Sequence, residues 1–170
     1  MITAGLRPFA VEVFCGSGRY TKALRSMGID AWGIDWKGGR LSAETPALLH
    51  LNLTTDADTK TFKHLLRHPM LIYCHMAPPC GTCSRAREIP LRDGRPGPPP
   101  LRSELHPRGF PDLEQRLPRE APRVAAANLL YDLVVEATTQ LISRDILWSI
   151  ENPRDSLLWH YPGIFSFACA

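Results

Sequence analysis

At 170 residues the chain is long enough to bury a sizeable core, and it is expected to form a single domain over residues 1–170. Its 44% hydrophobic and 22% charged residues are ordinary for a globular protein, and a formal charge of +3 is too small to mark the whole chain as a polyanion binder. No apolar run reaches the roughly 18–20 residues that would span a bilayer, and the odd set of five cysteines (Cys15, Cys74, Cys80, Cys83 and Cys169), with no secretory segment ahead of it, points to a reducing intracellular compartment.

Phe9–Phe14 (FAVEVF) is a short apolar run with one acid and predicts a buried strand. Cys15-Gly16-Ser17-Gly18 follows at once, and Tyr20–Met27 reads as a helix with Gly28 at its C-cap. Strand, glycine-rich turn and helix open a nucleotide-binding βαβ unit. The glycines allow close backbone approach, and the helix N-terminus offers unpaired N–H groups. The next strand, Ala31–Ile34, closes on Asp35. An acid there, roughly 20 residues after the glycines, suits the hydroxyls of a ribose, although a loop carboxylate or a helix cap reads the same. Trp36 suits either an adenine ring or the core.

Leu48–Leu53 holds a third strand with Asn52 near its end. Asp56 or Asp58 caps a helix that runs to Arg67, and Pro69 stops it. Met70–His75 is the fourth strand. It leads into Pro78-Pro79-Cys80, where two fixed φ angles deliver a cysteine to one place at a strand end.

Between Ser84 and Arg123 the periodicity vanishes. This stretch carries nine arginines, six acids and the triplet Pro98-Pro99-Pro100. The composition predicts an extended Pro/Arg-rich loop, suited either to phosphate contacts or to plain solvation. Pro122 starts a helix whose apolar face is Leu130, Val134, Ala137 and Leu141. Ile146–Ile150 is the fifth strand, ending in Glu151-Asn152-Pro153, and Ser156–Trp159 makes one helical turn. Strands alternating with helices predict an α/β fold with a mostly parallel, doubly wound sheet.

Three strand ends thus carry signals, and together they resemble the cytosine-C5 DNA methyltransferase family. The resemblance implies a Rossmann-like sheet that binds S-adenosylmethionine. Glu12, Phe14, Cys15, Gly16, Ser17 and Gly18 look like that family's first motif, Asp35 and Trp36 like its ribose and adenine pair, and Asn52 stands where an Asp often contacts the adenine. Pro78-Pro79-Cys80 matches the nucleophile motif, and Ser84 matches a serine that commonly follows it. Glu151-Asn152-Pro153 resembles the family's Glu-Asn motif. The resemblance implies that Cys80 is the nucleophile, Glu151 polarises the base with Asn152 beside it, and Pro78 borders the cofactor. Ser84, Arg85 and Arg87 would then touch nucleic acid from a mobile catalytic loop. DNA is the expected partner, which would place a eukaryotic protein in the nucleus; RNA is open because one tRNA-modifying branch uses the same nucleophile motif.

The chain spans only the N-terminal half of the family's pattern, ending after the fifth strand. A further polypeptide segment supplying target recognition is therefore expected, or else a binding module that keeps the fold without turnover. Cys80-x-x-Cys83 with Cys74 and His75 nearby also reads as a redox or zinc motif, but the second ligand pair that zinc usually needs is missing.

Overall fold

The structure, a computed structural model, describes residues 7–36 and 47–168. It is an α/β fold with one five-stranded, all-parallel sheet. The strands are β1 (Phe9–Val13), β2 (Asp30–Asp35), β3 (Leu48–His50), β4 (Leu71–Met76) and β5 (Leu147–Ile150), in the order β3-β2-β1-β4-β5. The helices are α1 (Arg19–Ser26), α2 (Asp56–Leu66), α3 (Leu113–Arg116), α4 (Ala121–Ser143) and α5 (Ile164–Ala168). Single 3₁₀ turns cover Arg85–Glu88 and Leu157–His160.

Two compact units share the chain: Met1–Pro78 with Glu136–Glu151, and Pro79–Val135 with Asn152–Ala170. The first holds the whole sheet. β1 lies in its middle and is buried along its full length, Glu12 included. A right-handed connection between parallel strands sends the α1 crossover to one face of the sheet and the α2 and α4 crossovers to the other. Polar contacts agree with this. Lys63 of α2 pairs with Glu136 of α4 at 2.7 Å, and the Arg144 guanidinium donates to the carbonyls of Leu66, the last residue of α2, and of His68 just past it.

Helix ends are set by local chemistry. Gly28, at φ 82°, follows the last turn of α1. Its N–H donates to Arg25 O and that of Ile29 to Leu24 O, the paired bonds of a Schellman stop. α2 corrects the expected cap. Thr55 is its N-cap, accepting the Asp58 N–H, while the Asp58 carboxylate accepts the Asn52 N–H at 2.7 Å. The third strand is also shorter than Leu48–Leu53, because the chain turns at Asn52 to enter that cap.

In the second unit the 84–123 stretch holds little regular secondary structure, but it packs on a small core of its own. Leu101, Leu113 and Val124 form a small buried cluster, with Leu117 and Ala121 packed against it. α3 lies inside the stretch, and α4 begins at Ala121, one residue before Pro122. The buried side of α4 also differs in detail. Of the expected face, Val134, Ala137 and Leu141 are buried and Leu130 is half-buried; Val124, Ala127, Tyr131, Leu133 and Thr138 are buried as well.

Thr55→Ala should lower stability by about 1 kcal/mol in urea unfolding followed by circular dichroism, the usual cost of losing an N-cap oxygen. Asp56→Ala should cost far less. Equal losses would return the cap to Asp56.

Candidate functional site

The order β3-β2-β1-β4-β5 reverses direction between β1 and β4. In open parallel sheets such a switch opens a crevice at the carboxyl ends of the strands. Of the residues singled out in the sequence, those of the sheet unit lie near, at or just past those ends, while Cys80, Ser84, Arg85, Arg87 and Asn152 belong to the second unit.

In the sheet unit, β1 runs into a turn with three left-handed residues, Phe14 (φ 61°), Gly16 (φ 53°) and Gly18 (φ 65°). A positive φ is cheap for glycine but strained for phenylalanine, and such strain persists only where the surroundings enforce it. Glu12 supplies part of that enforcement. One oxygen of its buried carboxylate accepts both the N–H of Thr21 (2.6 Å) and its hydroxyl (2.5 Å), tying the first turn of α1 to the central strand. Glu12 is therefore an internal brace. Across the turn, Asp35 at the end of β2 accepts the Gly16 N–H at 2.7 Å and the Trp36 N–H at 2.8 Å, one on each carboxylate oxygen. Each oxygen retains a lone pair for a hydroxyl ligand. A Cβ built on Gly16 meets nothing within 4 Å, and the Trp36 side chain is exposed. Ser17 is exposed at the tip of the turn. Cys15 points inward, and burial together with the nearby Asp35 and Glu12 carboxylates pushes its thiol up to about 12.

Asn52 has a local structural task. Its side-chain oxygen accepts the N–H (3.2 Å) and the hydroxyl (2.7 Å) of Thr54. At the far end of the sheet, Glu151 follows β5 and is exposed, its N–H donating to Met76 O at 2.9 Å. The sequence reading missed a polar row on this sheet. Glu12, His75 and Ser149 are register neighbours across β1, β4 and β5. The Ser149 hydroxyl lies 2.7 Å from His75 Nδ1 and 2.6 Å from the Tyr73 hydroxyl, to which Tyr20 of α1 donates at 3.0 Å. Burial lowers the His75 pKa, against the opposing pull of Glu12 and Glu151.

In the second unit, Cys80 opens a tight turn. Its carbonyl accepts the N–H of Cys83 (3.0 Å) and of Ser84 (2.8 Å). Pro78, the last residue of the sheet unit, is buried, and Cys80 is half-buried. Ser84 caps the 3₁₀ turn Arg85–Glu88 by accepting the Ala86 N–H. Arg85 pairs with Glu88 at 3.5 Å and Glu104 at 2.7 Å, and Arg87 pairs with Glu120 at 3.3 Å. Asn152 is buried and accepts the Cys83 S–H at 3.7 Å, so it serves the neighbouring cysteine of the CxxC. The Ser156 hydroxyl donates to the same sulfur at 3.1 Å. Among the described residues no three His, Cys, Asp or Glu side chains are grouped as metal ligands, and no helix is long and apolar enough to cross a membrane.

No family model, no curated protein and no solved structure matches this chain.

Asp35→Ala removes the acceptor of two amides. Hydrogen exchange at Gly16 should accelerate at least tenfold, matching the loss of a bond worth roughly 1.4 kcal/mol or more. Unchanged exchange would mean that the turn is held without Asp35.

Proposed function

We propose that this chain carries the cofactor-binding residues and the nucleophile of an S-adenosylmethionine-dependent methyltransferase acting on C5 of cytosine in DNA. The observation that carries the reading is the contrast among its cysteines. Of the four described, Cys15, Cys74 and Cys83 are buried and only Cys80 is not. It lies at the head of a turn that follows the strand on one side of the topological switch.

The cofactor fits the residues of the sheet unit. Asp35 would take the ribose hydroxyls on its remaining lone pairs, the exposed Trp36 would lie against the adenine, and the open side of Gly16 would admit the amino-acid portion. Pro78, two residues past the end of β4, belongs to the same unit. S-adenosylmethionine supplies an electrophilic methyl group on a sulfonium sulfur.

The chain's own residues would do the rest. The Cys80 thiolate adds to C6 of the cytosine, forming a C–S bond and moving the ring electron pair to C5, which can then attack carbon. The Glu151 carboxyl would hydrogen-bond N3 and the exocyclic amine, stabilising the charge that the addition creates. After methyl transfer the C5 proton leaves to a base and the thiolate departs, restoring the ring. A base inside a duplex must leave the stack before a thiolate can reach it. Arg85 and Arg87 are placed to meet phosphate only by giving up their present carboxylate partners.

Two measurements test the reading. Calorimetry should show saturable binding of S-adenosylhomocysteine, weakened about tenfold or more by Trp36→Ala. That side chain is exposed, so its loss leaves the core intact. DNA carrying 5-fluorocytosine, whose C5 holds no removable proton, should trap a covalent adduct at Cys80 in the presence of S-adenosylmethionine, and Cys80→Ser should abolish it. An adduct surviving that substitution would remove Cys80 as nucleophile. Cofactor binding with no adduct in the parent chain would leave a binding module.

A further inference from the structure

Arg102 is the largest fully buried side chain, 1% exposed, and it comes from the middle of the Pro/Arg-rich stretch. Its acceptors are the Thr82 hydroxyl (3.1 and 3.3 Å), the carbonyls of Pro107 (2.6 Å) and Val124 (3.4 Å), and the side-chain oxygen of Asn128 (2.7 Å). All are neutral. The guanidinium also lies over the Tyr131 ring, 5.1 Å from its centroid. A buried cation is costly unless its donors are satisfied, so this one is held for a reason beyond solubility.

Proton counting gives the reason a direction. Arginine can only donate and a backbone carbonyl can only accept. At one end Arg102 donates to Thr82 Oγ1, leaving the Thr82 proton to point onward. At the other end the Tyr131 hydroxyl donates to the Pro79 carbonyl at 2.6 Å. Between them Thr82 and Tyr131 oxygens are 3.4 Å apart, and only Thr82 has a proton left to give. The relay therefore runs Arg102, Thr82, Tyr131, Pro79. It ends on the carbonyl of the peptide bond that leads into Cys80, and it passes through the Cys80–Ser84 turn at Thr82. Hydrogen bonds in series polarise one another and stiffen together. The Tyr131 oxygen is also 3.2 Å from Cys83 Sγ, so the same hydroxyl touches both ends of the turn.

The far side of the relay is braced in turn. Tyr131 meets Tyr161 edge-on at 5.2 Å, and the Tyr161 hydroxyl donates to Asp132 at 2.8 Å. Asp132 receives both terminal nitrogens of Arg108, at 2.7 and 2.8 Å. Asn128, which accepts from Arg102, donates to the Arg108 carbonyl at 2.8 Å.

We infer that Arg102, Thr82 and Tyr131 are positioning residues that hold the turn presenting Cys80. The Pro/Arg-rich stretch is thus a clamp on the nucleophile turn, fastened by its one buried arginine. The role in reaction rests on Cys80 being the nucleophile; the clamp itself does not.

The test is native-state labelling with N-ethylmaleimide, read cysteine by cysteine by peptide mass spectrometry, with neither methyl donor nor nucleic acid present. In the parent chain Cys80 should label fast, and Cys15, Cys74 and Cys83 slowly. Thr82→Val is isosteric and breaks the relay; Thr82→Ser keeps the hydroxyl. Tyr131→Phe removes the donor to Pro79. Thr82→Val and Tyr131→Phe should each raise Cys83 labelling at least tenfold and leave Cys15 and Cys74 protected, while Thr82→Ser should match the parent. Cys83 remaining protected in both disruptive variants would overturn the clamp. So would all four thiols opening together in Tyr131→Phe, since that reports general unfolding. In the 5-fluorocytosine assay at saturating DNA, Thr82→Val should slow adduct formation about tenfold without changing S-adenosylhomocysteine affinity, and Thr82→Ser should restore the rate. If the parent forms no adduct, the methyltransferase reading fails while the labelling pattern still decides the clamp.

Discussion

A carboxylate inside a strand that is buried along its whole length has to be satisfied by something, and in this protein that demand organises the sheet unit. Glu12 sits in β1 with β2 hydrogen-bonded on one side and β4 on the other, and it is 6% exposed. An unpaired carboxylate there would be strongly unfavourable. Thr21 meets it with an N–H and a hydroxyl on a single oxygen. That fixes where α1 begins, which leaves Phe14 to Gly18 a short path between strand and helix. Asp35 then pins the same path from β2 through Gly16. The glycine turn is therefore held from two strands, and the strained φ of Phe14 is the local consequence.

Most of this sheet is legible in the sequence because a parallel strand buried on both faces must be a short apolar run. FAVEV is such a run; LIYCHM, partly buried, and LWSI, on the exposed to half-buried edge strand, are short apolar runs as well, and the five strands lie within a few residues of their expected positions. The misses have physical causes. The α2 cap went to Asp56 or Asp58 because both are good caps in isolation, and only geometry shows that Thr55 has the non-helical backbone while Asp58 faces Asn52. The 84–123 stretch looked structureless because its order is non-local. Leu101, Leu113 and Val124 are too far apart to make a period, and Arg102 reads as one more solvated arginine among nine. Tyr131, the centre of the relay, is buried beside the expected apolar face of its helix, of which Val134, Ala137 and Leu141 are buried and Leu130 only half-buried. No periodicity rule signals a buried arginine with neutral partners.

The cysteines show why identity alone is a poor guide to chemistry. Cys74 lies on β4 in the middle of the sheet, and burial pushes its thiol up to about 12, as it does with added carboxylate repulsion at Cys15. A thiol so raised is an inert core residue at neutral pH. Cys83 is spent on hydrogen bonds with Ser156 and Asn152, and its sulfur lies 3.2 Å from the Tyr131 hydroxyl. The CxxC pair that suggested redox or metal chemistry is thus unequal: one member is structural, and the other stands at the mouth of the turn.

The arginines divide along the same line. Seven of the nine in the Pro/Arg-rich stretch have partners within their own unit: Arg85, Arg87, Arg95, Arg102, Arg108, Arg116 and Arg123. The Arg85–Glu104 pair is well exposed on both sides, and exposed pairs contribute about 0–1 kcal/mol each. A phosphate can displace Glu104 at little cost, because one anion replaces another. Arg102 cannot make that exchange. Its donors are committed to neutral acceptors inside the fold, and withdrawing it would leave Thr82, Asn128 and two carbonyls without their donor. The stretch therefore separates two jobs that its composition blurs. Surface arginines sit on exposed carboxylates that another anion could replace, while the buried one is committed to neutral acceptors beside the cysteine turn.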